Sequence, residues 1–311
     1  MTEAAINLTD PVELAPVAFL ELELTNRCQL ACTHCYSGAG PAEGHGSMTV
    51  TDWKRLLDEA PSAGVETVQL IGGEPTMLPD FLPLAWYALS VGLQVQVYSN
   101  LYRVTEPQWG LYTQPRVTLA TSYYSDVAAE HDKITGRDGS HARTRANIVR
   151  ALELGIPLKV SVVDLGDPGQ RAQEAHAEMT ELGVPRVGPI DRMRAVGRAT
   201  AAMSMESVTS ELCGQCGDGR AAVSWDGDVR MCVLSRFLPS AGNVRTAPLA
   251  SILSGETWAE LLGQVPRKVG RDCNPASDGN DCAPAETICE SNALILPTIP
   301  AALPARRSGD Q

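Results

Sequence analysis

The 311-residue chain has no apolar run near the roughly 20 residues that a bilayer-spanning helix needs. Its opening segment, MTEAAINLTDPVELAP, has acidic side chains and no basic start, so it does not read as an export signal. These two absences set the expectation of a cytoplasmic protein with no membrane partner. No block of Lys and Arg interrupts a formal net charge of -12. Such a surface disfavours a phosphate backbone, so nucleic acid is not expected as a partner. The acidic balance serves solubility first and would also suit a basic peptide. Cysteine is absent between Cys35 and Cys213, although the chain has nine. Three of them fall between positions 28 and 35 and six between 213 and 289. In a chain of this size, clustering of that kind points to metal or catalysis rather than to a disulfide framework. Two groups imply two metal centres in two regions.

What is present reads as an ordinary globular chain, 44% hydrophobic and 20% charged, able to bury a sizeable core. Residues 1–16 are expected to form a flexible leader. AFLELELT (18–25) alternates as a strand does, and ETVQLI (66–71), LQVQVYS (93–99), RVTLATS (116–122) and PLKVSVVD (157–164) follow as further strands. PRVGPI (185–190) is a sixth. Between them, 49–64, 78–92, 140–155 and 168–183 read as helices, with Thr51 or Asp52 opening the first and Ser140 capping the third. Repeated strand–helix units imply parallel strands with right-handed crossovers, in an open sheet or a partial barrel. Ligands of either sit at the C-terminal strand ends. From about residue 200 the pattern changes. VSWDGDVRMC (223–232) reads as a hairpin turning at Asp226-Gly227, 249–265 contains a helix, and 270–292 is a loop-rich stretch that metal ligation would hold. The Pro-rich tail, 293–311, ends polar.

The strongest local signal is Cys28-x3-Cys32-x2-Cys35 directly after the first strand. Three close thiolates can hold three irons of a cubane and leave the fourth open to a small molecule. A zinc site, with His34 or His45 as fourth ligand, is the competing reading, but zinc commonly shows CxxC pairs. After the second strand comes Gly72-Gly73-Glu74-Pro75. This order of motifs, over about residues 17–200, resembles the radical S-adenosylmethionine (AdoMet) superfamily. The resemblance implies an α/β fold, a partial (β/α)6 barrel of TIM type. It also implies one [4Fe-4S] cluster on Cys28, Cys32 and Cys35, whose unique iron is chelated by AdoMet. Gly72 and Gly73 would let backbone approach the ligand, and Glu74 or nearby backbone oxygens would accept hydrogen bonds from the methionyl ammonium. Ser99 and Asn100 at the end of strand three, and Ser122 at the end of strand four, are further candidates for contacts to AdoMet. The segment 130–148 resembles the loop and helix after strand four of peptide-modifying members, where Asp132 and Arg137 can be purely structural.

Cys213, Cys216 and Cys232, then Cys273, Cys282 and Cys289, resemble the auxiliary-cluster domain called SPASM, or its shorter twitch form. Here the later spacing is C-x8-C-x6-C, which leaves one or two auxiliary clusters open, with a zinc ribbon as the competing reading. The implied domains are 17–204, a radical AdoMet core, and 205–292, a small Cys-rich iron–sulfur domain. The implied chemistry is reductive cleavage of AdoMet to a 5′-deoxyadenosyl radical that takes hydrogen from a substrate. The implied substrate is a ribosomally made precursor peptide, to be crosslinked or epimerised. Sixteen residues before the first strand are too few for a leader-recognition domain, so recognition is expected from a separate protein or by direct binding. Electrons would come from an external donor such as ferredoxin or flavodoxin. Alternatives are a small-molecule dehydrogenase or cofactor-biosynthesis enzyme, a sulfatase-type maturase, and a non-catalytic iron–sulfur or zinc protein. Tyr123, Tyr124, His131, Asp164 and Arg194 are candidates for acid–base work that no spacing sets apart.

Overall fold

The computed structural model describes residues 14–266. β1 (Phe19–Glu23) sends Leu20 and Leu22 into the apolar core, while Glu21 lines a cavity on its other face. β2 (Thr67–Ile71) and β3 (Gln94–Tyr98) repeat the division, with Val68, Leu70, Val95 and Val97 in the core. β4 (Val117–Tyr123) and β5 (Leu158–Asp164) bury Leu119, Tyr123, Leu158, Val160 and Val162 in the same way. Because successive side chains point to opposite faces, Gln69, Gln96 and Ser161 are buried yet turned from that core. Gln69 donates to Gln96 across neighbouring strands. The sheet is thus wrapped: helices cover its apolar face and its polar face lines an interior.

β6 (Arg186–Val187) and β7 (Asp191–Arg192) both pair in parallel with β5, at different heights. The expected strand over 185–190 is this short because Pro185 and Pro189 cannot donate to a ladder. β8 (Arg220–Val223) and β9 (Asp228–Arg230) form the hairpin, and β10 (Gly242–Asn243) adds to β9. β8 pairs in parallel with β1, so the sheet runs β10-β9-β8-β1-β2-β3-β4-β5-β6. Its two ends do not pair with each other among the described residues, which makes it an open barrel of parallel strands with an antiparallel extension.

The helices are α1 (Val50–Glu59), α2 (Phe81–Ser90), α3 (Glu106–Tyr112), α4 (Ala128–Thr135), α5 (Ser140–Glu153), α6 (Ala172–Glu181), α7 (Ala199–Met203), α8 (Leu249–Leu253) and α9 (Glu256–Gly263). α1 is opened by Thr49, not by Thr51 or Asp52. The Thr49 hydroxyl accepts from the Asp52 amide and Asp52 accepts from the Thr49 amide, a capping box. Ser140 does not cap α5 either. The Asp132 carboxylate on α4 takes the amides of Gly139 (2.6 Å) and His141 (2.8 Å) and so frees the Ser140 hydroxyl for other bonds. The helix expected over 249–265 breaks into two at Ser254-Gly255. α3 carries a capping box of its own, Thr105 with Gln108, which is a sequence-level start signal.

A buried ion pair fastens the C-terminal strands to β1. Arg236 follows β9, and its Nη2 lies 2.6 and 2.8 Å from the two carboxylate oxygens of Glu23, a fully buried residue. The guanidinium also stacks over Trp225 (5.0 Å) and Tyr36 (5.4 Å). Burial pushes the Glu23 carboxyl upward and Arg236 pulls it back. Removing one partner of such a pair strands a charge, whereas replacing both with apolar groups is tolerated. Arg236→Met is therefore expected to cost about 3 kcal/mol in a urea melt at pH 8, with Glu23→Leu/Arg236→Met recovering most of it.

Candidate active site

The loop after β1 carries Cys28, Cys32 and Cys35 and has almost no regular structure of its own. Its backbone is held from three sides. The Cys28 amide donates to the Gly40 carbonyl at 3.1 Å, and the amides of Ala31 and Thr33 donate to Thr135 and Ile134 at the end of α4. Arg198, beside α7, donates to the carbonyls of Cys32, Gly38 and Ala39 at 2.9, 2.9 and 2.7 Å. The three thiols consequently line one cavity of about 240 Å³, at the C-terminal ends of β1 to β5. Donors approach two of the sulfurs. The Leu30 amide (3.4 Å) and Asn100 Nδ2 (3.6 Å) reach Cys28 Sγ, and Ser37 Oγ lies 3.4 Å from Cys35 Sγ. Burial pushes the Cys28 thiol up to about 12 and Cys32 higher, so without metal both are neutral thiols.

Gly72 and Gly73 line the same cavity from the end of β2. A Cβ on Gly72, where φ is 133°, would lie 2.5 Å from the Thr25 carbonyl oxygen, and one on Gly73 would lie 2.5 Å from that of Arg27. Only glycine lets these two loops touch. Glu74 stands behind this rim rather than on it. Its carboxylate accepts from the Thr76 amide (3.2 Å) and hydroxyl (2.6 Å), the Ser99 hydroxyl (2.9 Å) and the Asn100 amide (2.8 Å). With four donors, Glu74 joins the β2 loop to the β3 loop, and burial raises its pKa. Ser99 shares that buried place outside the cavity wall. Asn100 lines the cavity, its Oδ1 accepting from Gln29 Nε2 (3.0 Å) and the Tyr102 amide (2.9 Å). Ser122 lines it from β4, 2.9 Å from the Tyr98 hydroxyl.

Of the acid–base candidates, Tyr124, His131 and Arg194 line the cavity. Tyr123 points to the other face of β4, where its hydroxyl meets His141 (2.7 Å) and Glu178 (2.9 Å). Asp164 accepts from the Gly166 amide at 2.8 Å, outside the cavity wall. Arg137, like Asp132, does structural work: it bonds the Tyr102 hydroxyl (3.2 Å) and the Gln29 carbonyl (3.4 Å). Arg198 and Glu21 are among the wall residues that the sequence reading does not single out. No spacing marks Arg198. Glu21 had a signal, because the alternation LELEL puts its carboxylate opposite the apolar face.

The second cysteine group converges too. The Cys213–Cys216 loop leads into β8 and Cys232 follows β9, so the hairpin returns all three thiols to one buried place. The Sγ atoms of Cys216 and Cys232 are 3.4 Å apart, and the Gln215 amide donates to Cys213 Sγ at 3.4 Å. Cys273, Cys282 and Cys289 lie outside the described residues. Neither thiol triplet forms a finished coordination shell among the described residues; what the backbone fixes is their convergence. The soft donor set suits an iron–sulfur cluster at both places.

Parallel strands, a thiol triplet at their C-terminal ends and a second triplet beside β1 define a cysteine-ligated partial-barrel class. Residues 22–181 match the Radical SAM superfamily, and the chain belongs to it. Residues 213–282 match SPASM, an iron–sulfur cluster-binding domain. The PqqA peptide cyclase of Rhodopseudomonas palustris is 31% identical over 150 residues, 48% of this chain and 39% of that protein. The AdoMet-dependent heme synthase of Methanosarcina barkeri is 31% identical over 140 residues, 45% of this chain and 40% of that protein. The chain thus spans about two fifths of the length of these curated relatives. SuiB of Streptococcus suis, solved with S-adenosylmethionine, shares the fold at a TM-score of 0.64 and 15% identity, over 80% of this chain and 67% of SuiB.

Glu21 generates a pH prediction. Its Oε2 accepts from the Val233 amide at 3.1 Å, and burial outweighs neighbouring Arg220 to raise its pKa from 4.5 to about 7. The unfolded chain releases this proton near 4.5 and the folded one near 7. The stability Glu21 contributes is therefore complete below pH 4.5 and lost as pH rises through 7. Urea melts of metal-free protein should show wild type losing about 3 kcal/mol relative to Glu21→Gln between pH 4.5 and pH 8.

Proposed function

We propose that this protein reductively cleaves AdoMet and uses the resulting radical to modify a ribosomally synthesised precursor peptide. The observation that carries the reading is the convergence of Cys28, Cys32 and Cys35 on a cavity shared with Gly72, Gly73 and Asn100. In this reading Cys28, Cys32 and Cys35 would hold a [4Fe-4S] cluster, and the chemistry it would supply is one electron to the AdoMet sulfonium, splitting AdoMet into methionine and a hydrogen-abstracting 5′-deoxyadenosyl radical. The remaining steps belong to the chain. Backbone at Gly72 and Gly73 approaches the methionyl ammonium, Glu74 holds that backbone against Ser99 and Asn100, and Asn100 donates to Cys28 Sγ. Ser122 faces the ligand from β4. The wrapped sheet excludes water from a reactive species.

Cys213, Cys216 and Cys232, with Cys273, Cys282 and Cys289, provide ligands for one or two auxiliary clusters. The domain limits follow as 17–204 and 205–292. Support for a peptide substrate comes from the names of relatives: PqqA peptide cyclase, and SuiB, which has been solved with its precursor peptide SuiA. Thiol clusters that stay free need reducing surroundings, which fits the cytoplasm; no helix among the described residues is long and apolar enough to cross a membrane. An external one-electron donor such as ferredoxin or flavodoxin supplies reductant, and a separate protein can present the peptide leader. A second reading, small-molecule oxidation in cofactor biosynthesis, is favoured by the similarity to a heme synthase.

Anaerobically reconstituted protein with AdoMet, dithionite and a short peptide encoded beside the gene is expected to yield 5′-deoxyadenosine and a changed peptide mass. Deoxyadenosine without any mass change in the peptide turns the assignment to the second reading. Cys28→Ala/Cys32→Ala/Cys35→Ala should fall to background in deoxyadenosine formation yet retain the iron bound by the second cysteine group. Iron analysis and absorbance of the two proteins side by side check this.

A further inference from the structure

Three residues form one side of the cavity wall. The Tyr124 ring lies between two imidazoles, its centroid 4.9 Å from His34 and 5.4 Å from His131. Each imidazole has one buried nitrogen without a hydrogen-bond partner among the described residues: Nδ1 of His34 and Nε2 of His131. Buried polar atoms are nearly always satisfied, so an orphaned ring nitrogen on a residue that borders the cavity is a candidate for a contact made only when a ligand is bound.

His131 is the one whose ring is fixed. It is 1% exposed, and its Nδ1 lies 3.1 Å from Ser140 Oγ. That hydroxyl donates to Asp132 Oδ1 at 2.9 Å, while the Asp132 carboxylate also holds the amides of Gly139 and His141. Thr135 donates to the His131 carbonyl at 3.0 Å and sits 2.6 Å from Ser140 Oγ. A carboxylate that takes the serine proton leaves Ser140 Oγ as an acceptor. Nδ1 therefore carries the ring proton and Nε2 presents a lone pair. Burial, with His141 nearby, pushes His131 down to about 4, so the ring stays neutral near neutral pH.

We propose that Nε2 of His131 accepts a hydrogen bond from a donor on the nucleoside half of AdoMet. The inference rests on the function proposed above and deepens it. The methionine half has one strong donor, its ammonium, and that reading places it at Gly72 and Gly73 after β2. His131 packs on Tyr124 after β4, and β3 lies between the two strands. The donors left for this side of the cavity are the two ribose hydroxyls and the adenine amine. Ser140, Asp132 and Thr135 are positioning residues that fix the tautomer.

The test uses oxidised, cluster-loaded protein with AdoMet, adenosine and methionine as separate probes. Nitrogen-15 spectra of labelled histidine should show His131 protonated at Nδ1, with Nε2 moving on addition of AdoMet or adenosine and not of methionine. In binding titrations, His131→Phe should weaken AdoMet and adenosine roughly 3- to 10-fold, the scale of one neutral hydrogen bond, and leave methionine unchanged. His131→Gln, which keeps a side-chain acceptor, should recover part of the loss, and Ser140→Ala should fall between. An Nε2 signal unmoved by adenosine, with equal affinities across the variants, would mean a niche filled by water and overturn the assignment. A loss confined to peptide binding would overturn it as well. The wild-type spectra need no substitution, so a variant that fails to fold leaves the test standing. Wild type that binds iron but neither binds nor cleaves AdoMet is the failure of the proposed function, a result distinct from an unmoved Nε2 in a protein that does cleave it.

Discussion

The grip of Arg198 on the cysteine loop is the interaction on which the site depends. A loop that presents three sulfurs to one cavity cannot also satisfy its carbonyls by helix or sheet, so donors must come from elsewhere. The guanidinium is a rigid fork with five donors. It spans carbonyls at Cys32, Gly38 and Ala39, and the Arg198 amide adds a bond to Cys35 at 3.0 Å. Gly197 makes the approach possible, since a Cβ there would lie 2.2 Å from the Tyr36 carbonyl oxygen. The shape of a loop after β1 is thus set by a residue beyond β7. The positive charge also acts on the side chains it encloses: it favours the Cys32 thiolate and, with burial, disfavours protonated His34, which is held at about 4.

The sheet behind that loop explains why a ligand can sit there. Each leading strand is buried on both faces, but only one face is apolar. Leu20, Leu22, Val68, Leu70, Val95 and Val97 pack under the helices, and Glu21, Gln69 and Gln96 stand side by side across β1, β2 and β3 on the inner face. Buried polar side chains are tolerated when bonded or when they face a ligand or water. A closed apolar lumen would stabilise more and leave nothing to bind. The fold gives up apolar burial on the inner face and retains it on the outer one.

Much of this was legible in the sequence because it is local. Period-2 alternation located β1 to β5, helix periodicity and terminal glycines located α1, α2, α5 and α6, and the cysteine spacing marked the rim. What was not legible depends on partners distant in the chain. Ser140 looks like a cap, yet Asp132 from the preceding helix supplies the capping oxygens and releases the serine toward His131. Glu74 looks like a ligand contact, yet four protein donors surround its carboxylate. VSWDGDVRMC reads correctly as a hairpin, but nothing within it says that β8 will pair with β1. Propensity and pattern fix the element; the neighbour is chosen by burial across the whole chain.

That pairing decides how the two cysteine groups relate. β8 registers residue by residue with β1 from Phe19↔Arg220 to Leu22↔Val223, so the second group is attached to the barrel through sheet hydrogen bonds and not through a linker. The Glu23–Arg236 ion pair and the Val233 amide on Glu21 add two polar fastenings on the inner side. Val233 and Leu234, immediately after Cys232, consequently become part of the cavity wall. A flexible tether would let the separation of the two thiol sets vary with every domain motion. A shared sheet edge holds it constant. The hairpin also sends Ala221, Val223, Val229 and Met231 into the main apolar core, so its docking is specified by apolar burial together with strand pairing and these buried polar contacts.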